Sequence, residues 1–372
     1  MSSLPRPSLT RPTHRPAPLS SEASAPLALC GLFTLSMLLA PGCAGRCPSP
    51  TSEPVSVTPT RAPCVSSDGS TLPAADPLTL VGGDGFIFTR FDVAAIRRSR
   101  YGARMERALD AFIRAEVRHT EQGAFRDGMA RTEVIAIAFH LESGVTVVAQ
   151  GRYTDADLDT LELTERRPRR QHVIHSARRH EAAIAGGRYL IIAERSGVEG
   201  VLDRLDGLED PAPIGGTLLN AYTESGAYRA YFSMVGIPSL PFRHEFEREA
   251  GLAGVFADLR WGALTVADGA SGLELHGRAH TITESAARAI LTKSEETRQE
   301  VAVALDREAP ALAAVARNLD MRVSGTDATL SLTPSDAEAE AIIDAVTDAF
   351  ERDAQRRASY TTPPTSGTTT VP

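Results

Sequence analysis

Between residues 80 and 356 the apolar positions recur in two rhythms, every second residue in short runs and every third or fourth in longer ones. The short rhythm marks strands, whose side chains alternate faces, and the longer one marks helices with a single apolar stripe. Residues 85–91, G-F-I-F-T-R-F, read as a strand of β-formers. Asp92 then caps a helix expected to run to about Val117, with Ile96, Met105, Leu109, Phe112, Ile113 and Val117 on its stripe. Residues 134–139 and 145–149 form a hairpin through Glu142-Ser143-Gly144. Thr154-x-x-Asp157 is a capping box opening a short helix to about Leu163. The stretch Arg166-Arg167-Pro168-Arg169-Arg170 reads as a charged loop. Residues 172–176 follow as a strand, then a hairpin turns at Gly186-Gly187 into 189–193. Ser196-x-x-Glu199 starts a helix to about Leu205.

The remainder repeats this order. Residues 227–235 form a strand, and a helix follows through Phe242, Phe246, Leu252 and Phe256. Residues 261–266 and 273–278 make a hairpin through Asp268-Gly269. A long helix opens near Thr283 and breaks at Pro310, which lacks a donor and clashes with the preceding turn. Residues 322–323 and 328–332 form the last hairpin, and Thr333-Pro334-Ser335-Asp336 reads as N-cap, proline at N1 and an acidic N3. Residues 144–152 correspond to 272–278, and 186–199 to 325–336, at a domain-sized spacing of about 130–140 residues. The fold class expected is therefore α+β: two tandem similar units, 80–210 and 211–356, each an antiparallel sheet with helices packed on one face.

Ahead of this body lies the charge-free apolar run 25–40, preceded by Arg6, Arg11 and Arg15 and closed by Pro41-Gly42-Cys43. Basic flank, short apolar core and small exit residues are the three parts of an export signal, and the run falls short of the roughly 20 residues that span a bilayer. Residues 1–42 are thus expected to be a signal peptide. Leu38-Leu39-Ala40-Pro41-Gly42-Cys43 resembles an atypical lipobox of bacterial lipoproteins, with Pro41 intervening between Leu39 and the Gly42-Cys43 junction. The resemblance implies diacylation of Cys43, a membrane contact through that anchor and, with Ala44 in place of Asp, sorting to the outer membrane in preference to the inner. Ordinary cleavage after Gly42 would leave the same N-terminus without lipid. Residues 43–79, rich in Pro, Ser and Thr, are expected to be a disordered tether, and 357–372 a tail of the same kind. In element order the body resembles the uncharacterised duplicated α+β envelope lipoproteins of GC-rich Gram-negative bacteria, which implies no activity.

Composition narrows the chemistry. Of four cysteines, Cys30 lies in the leader, Cys43 at the cut, and Cys47 and Cys64 in the tether, where an exported chain permits them to pair. No CxxC pair is present, which excludes a cysteine-based structural zinc site. Residues 83–210 carry 20 Arg against 21 acidic groups, whereas 211–355 carry 12 basic and 22 acidic groups, net −10. Such an acidic second half argues against nucleic acid. Asp155-x-Asp157-x-Asp159 begins like a calcium loop but fails at Thr160 and Arg166, so helix-start acids explain it better. His172, His175 and His180, with His276 and His280 elsewhere, form no ligand set. A strand's i,i+3 pair faces opposite ways, and an i,i+4 pair stands about 13 Å apart.

Arg97, Arg100, Arg104, Arg107, Arg114 and Arg118 line one side of the first helix, either as a solvated face or as a contact for anionic head groups. Gly82-Gly83-Asp84-Gly85 precedes a strand and reads as a turn. No G-x-S-x-G, P-loop or H-E-x-x-H occurs. The sequence assigns no catalytic, metal or cofactor-binding residue; Cys43 is its one site. It implies a non-enzymatic, lipid-anchored envelope module that binds a protein partner or a small-molecule ligand of unassigned identity. An exported hydrolase with a dispersed site between the two units is the alternative.

Overall fold

The computed structural model describes residues 76–361 except 117–127, 129, 141–143, 160, 162, 178–179, 195–196, 210–215, 238–256, 270–271 and 309. The first half supplies β1 (Ile87–Asp92), α1 (Val93–Arg98), α2 (Gly102–Glu116), β2 (Val134–His140) and β3 (Gly144–Gln150). It continues with β4 (Glu165–Arg169), β5 (His172–Ser176), β6 (His180–Ala185), β7 (Tyr189–Glu194) and α3 (Gly197–Leu205). The second half supplies α4 (Gly216–Glu224), β8 (Phe232–Gly236), β9 (Leu259–Gly269), β10 (Gly272–Thr281) and α5 (Glu284–Glu308). It closes with α6 (Pro310–Arg317), β11 (Asp320–Ser324), β12 (Asp327–Leu332) and α7 (Asp336–Thr361).

The fold is α+β, and its strands form one 12-stranded sheet in the order β11-β12-β10-β9-β8-β1-β2-β3-β7-β6-β5-β4. The path β1-β2-β3-β7-β6 is traced again by β8-β9-β10-β12-β11. The two paths do not close into separate sheets. They join where β1 runs antiparallel to β8, with Phe88 opposite Val235 and Arg90 opposite Ser233.

Helices cover both faces, unlike the one-sided packing expected of each unit. Alternation along β2 shows why, since Ala136 and Ala138 point one way and Ile135 the other. On the first face α3 and α4 bury Val198, Val201, Leu202, Leu218 and Tyr222 against Phe88, Ala136, Ile191, Val235 and Trp261. On the second, α1 and α2 bury Val93 and Leu109 against Ile135, Ala149 and Leu190. Further along that face Ala339 and Ile343 of α7 meet Ile96, Tyr101 and Leu273, and α5 covers Ala279 and Ala328. The final helix of each half thus lies on the opposite face from its counterpart. This leaves the first face of β10, β12 and β11 to polar side chains.

Several boundaries differ from the expectations, each for a local reason. The expected helix from Asp92 to Val117 is two helices. Asp92 caps as read, accepting from the Ala95 amide at 2.8 Å. Ser99 then turns its hydroxyl onto the Ile96 carbonyl at 2.8 Å and ends α1. Gly102 restarts the chain where a Cβ would stand 2.7 Å from the Arg97 carbonyl oxygen. The arginine-rich stretch is strand β4, and Pro168 is tolerated there because β4 lies at the sheet's edge. Its two-residue turn into β5 holds Arg170 at φ +55°.

The helix expected from Thr154 is one 3-10 turn, Asp155–Asp157. The β9–β10 ladder extends to Gly269–Gly272, beyond the turn read at Asp268-Gly269. The cap of α7 is Ser335, whose amide donates to Glu338 at 2.8 Å, and not Thr333. The body reaches upstream of residue 80, because Leu78 is buried in the largest core cluster and Asp76 caps the turn Pro77–Thr79. It ends past residue 356, since α7 runs to Thr361. The helix expected through Phe242 and Phe256 lies outside the described residues.

Candidate functional site

The sequence singled out charged and imidazole side chains, and the fold assigns partners to most of those described. Two of the arginines read on the first helix, Arg100 and Arg104, form a clamp between the halves. Arg100 reaches Asp336 at 2.9 Å, Tyr101 donates to the same carboxylate at 2.6 Å, and Arg104 joins Glu340 at 3.0 Å and also Asp344. These acids stand four residues apart on α7, and Arg100, in the turn before α2, stands four residues ahead of Arg104 in its first turn. Burial and the Asp336 hydrogen bond push the Tyr101 phenol above its ordinary range. Arg97 is bound to Glu106 and to the Thr132 carbonyl. The unequal charge of the two halves therefore meets across their own junction. Arg118 lies outside the described residues.

A second network fastens β4 to α3. Arg167 bonds Glu199, and Glu181 at 2.9 Å; Arg169 bonds Glu199 at 2.6 Å and Asp203 at 2.5 Å. Glu199, read as a cap residue, serves as the hub of this network. Asp157 of the calcium-like triplet accepts from the Thr154 amide at 2.7 Å and pairs with Arg131, which confirms a helix-start role.

The described histidines are dispersed. His140 bonds Asp84 at 3.0 Å, His172 bonds Asp206 at 2.9 Å, and His276 bonds Glu274 at 3.3 Å. His175, on the opposite face of β5 from His172, has its basicity lowered by burial and by Arg166. Among the described residues no group of three or more His, Cys, Asp or Glu is placed to hold a metal ion. The two halves meet through the β1–β8 ladder, the α2–α7 clamp and the apolar clusters that span both faces, and none of these histidines belongs to them. Cys43, Cys47 and Cys64 lie outside the described residues.

One polar constellation is assembled by strand register and was invisible as spacing. Trp261 on β9, His280 on β10 and Asp327 on β12 are direct cross-strand partners on the first face. Trp261 and His280 stack with ring centroids 5.3 Å apart and planes inclined by 24°. Arg278 lies over the indole at 5.1 Å. Asp327 binds both side chains, Arg278 at 2.8 Å and His280 Nδ1 at 2.8 Å. Burial works to raise the Asp327 carboxyl, but the two hydrogen bonds outweigh it and hold it below the usual carboxylate range. Arg278 also meets Glu224, at 3.4 Å to the carboxylate and 3.4 Å to the carbonyl, so an anionic or carbonyl group binding here would share the guanidinium with two carboxylates. Period-two phasing of the hairpins could have aligned these three residues, had the turn between β9 and β10 been read correctly.

The sequence also gave no warning of a buried ion pair at the sheet's centre. Arg90 bonds Asp76 at 3.2 Å and Asp92 at 3.4 Å beneath Tyr222 and Ser233. Burial acts to lower the Arg90 guanidinium, yet Asp76, Tyr222 and Asp92 together hold it above its ordinary value. Burial also pushes the Tyr222 phenol well up.

No helix among the described residues is long and apolar enough to cross a membrane. No protein-family model matches the chain, and no curated protein matches it. Solved structures of TP0453 are similar at 12% identity. Crystal form I gives a TM-score of 0.44 over 73% of this chain and 97% of that one, and crystal form III 0.46 over 74% and 98%.

Proposed function

We propose that this chain is an exported envelope protein, anchored through an acylated Cys43 and carrying a non-enzymatic recognition body. The observation that carries the reading is the charge-free run 25–40 between three arginines and Gly42-Cys43. The first described residue, Asp76, stands far enough along the chain for the segment behind it to reach up to about 100 Å if extended, which suits display away from a membrane surface. The recognition surface proposed is the polar first face of β10 and β12, where His280, Arg278 and Thr329 lie beside Trp261. Head-group contact is not part of this reading, because Arg100 and Arg104 are committed to the acids of α7 that tie the halves together, and Arg97 to Glu106 and the Thr132 carbonyl.

Metabolic labelling with a fatty-acid probe tests the anchor. Label is expected on the wild-type chain and not on Cys43→Ala, and an unlabelled chain retained in the cytosol with Met1 intact overturns the reading. Co-purification from solubilised envelope, comparing wild type with Arg278→Ala, tests the surface.

A further inference from the structure

The internal repeat exposes an asymmetry at the sheet's ends. In the first half the outer edge of β6 is covered by the β4–β5 hairpin, with His175 opposite Ala182. The corresponding strand of the second half, β11, is the terminal strand, and among the described residues no hairpin pairs with its outer edge. Its side chains alternate between exposed Asp320, Arg322 and Ser324 and half-buried Met321 and Val323. Exposed edges are ordinarily protected by charge. Here the two charges have opposite sign and flank Met321, and within one copy they pair with each other, Arg322 reaching Asp320 at 2.6 Å, so pairing between copies would exchange that ion pair for two across the ladder.

The phase of the edge is fixed by its hairpin. Ser324 and Asp327 close a two-residue turn in which Gly325 has φ +57°. Such a closing pair is hydrogen-bonded, and antiparallel pairs alternate, so Arg322 and Asp320 spend their backbone groups on β12. The amides and carbonyls of Met321 and Val323 therefore point outward from the sheet.

From this we propose that β11 is a homodimer contact, pairing antiparallel with β11 of a second copy about Met321. In that register Met321 faces Met321, Asp320 faces Arg322 of the other copy, and Leu319 faces Val323, twice over. The outward phase matches, because Met321 exchanges two bonds with its own counterpart and each Val323 amide meets the opposite Leu319 carbonyl. Leu319's own amide is already turned back on Ala316. The ion pairs fall in the closely spaced, non-hydrogen-bonded positions, where side chains approach best. Sliding the strands by one residue would place Met321 opposite Arg322 and break the phase. The two copies would form one continuous sheet about a two-fold axis, an isologous and self-limiting contact. A single short ladder buries less than the roughly 1,000 Å² of a stable interface, so the free protein should dimerise weakly, and copies held on one membrane should dimerise far more readily.

Charge exchange tests register and partner together. Sedimentation of the full chain in detergent, up to about 500 µM, should show a concentration-dependent dimer. Asp320→Arg and Arg322→Asp should each weaken it at least about tenfold, since each sets like charges opposite one another. Combining both changes in one chain should restore the dimer, and mixing the two single variants should yield the heterodimer. A chain that stays monomeric throughout, single variants that dimerise as the wild type does, or a mixture that fails to associate each overturn the proposal. Circular dichroism of the single variants, expected to match wild type, separates lost pairing from lost folding.

Discussion

At the scale of single residues, two carboxylates held in ion pairs, Asp327 and Asp76, carry the sharpest expectations. Asp327 holds Arg278 and His280 together, so Asp327→Asn should lower stability at neutral pH by about 1–3 kcal/mol in urea titrations. The sign with pH follows from its depressed folded-state pKa. The contribution is complete above the unfolded value and is lost as pH falls through the folded one, so the gap between wild type and variant should close below about pH 4. Trp261, the chain's one tryptophan, stacks on His280 and gives a second readout. Its emission should change in His280→Gln, which removes the stacked imidazole, and stay near wild type in Arg322→Gln, which lies away from the ring. Asp76 and Arg90 are a harsher case, with each side chain only 9% exposed. Arg90→Met should cost about 3–5 kcal/mol because it leaves a buried carboxylate unpaired. Adding Asp76→Asn, which keeps the cap acceptor for Leu78, should return part of that loss.

At the scale of elements, legibility tracked how local the deciding interaction was. Asp92 as a cap, the β2–β3 and β6–β7 hairpins and the break at Pro310 all depend on neighbours within four residues, and all are present. Strand β4 was misread because what makes Arg167 and Arg169 strand residues is Glu199 and Asp203, some thirty positions away in α3. The cap of α7 slipped from Thr333 to Ser335 because Asp336, read as its partner, is drawn instead to Arg100 and Tyr101 across the junction. The same logic hid the constellation around Trp261, which exists only through register. Gly102 offers a test at this scale. In an exposed helix Gly→Ala gains up to about 1 kcal/mol, whereas here the added methyl would press on the Arg97 and Ile96 carbonyls. Gly102→Ala should therefore destabilise, by about 1–3 kcal/mol in thermal or urea unfolding.

At the scale of the whole molecule, the repeated order of elements was readable but its merger was not. Nothing in the alternation of β1 or β8 says that the two strands pair with each other, since each has the pattern of any strand buried on both faces. Besides that ladder and the apolar clusters shared across both faces, the arginine–acid clamp of α2 on α7 binds the halves. Arg104→Glu should raise amide hydrogen exchange in the first turns of α7 by about tenfold or more while leaving α5 unchanged, and added salt should narrow the difference. The repeat is also inexact where it matters. A helical pair, α5 and α6, fills the place that β4 and β5 take in the first half, and the last helices choose opposite faces.

The way the chain enters this sheet has a mechanical consequence. Asp76 is bolted to Arg90 on β1, a middle strand with five neighbours on one side and six on the other. Tension on the N-terminal side would thus be delivered to the centre of the twelve strands, where ladders on either hand share the load, and not to a rim from which strands could be peeled one at a time. A body suspended from its N-terminus would be hung from its stiffest point.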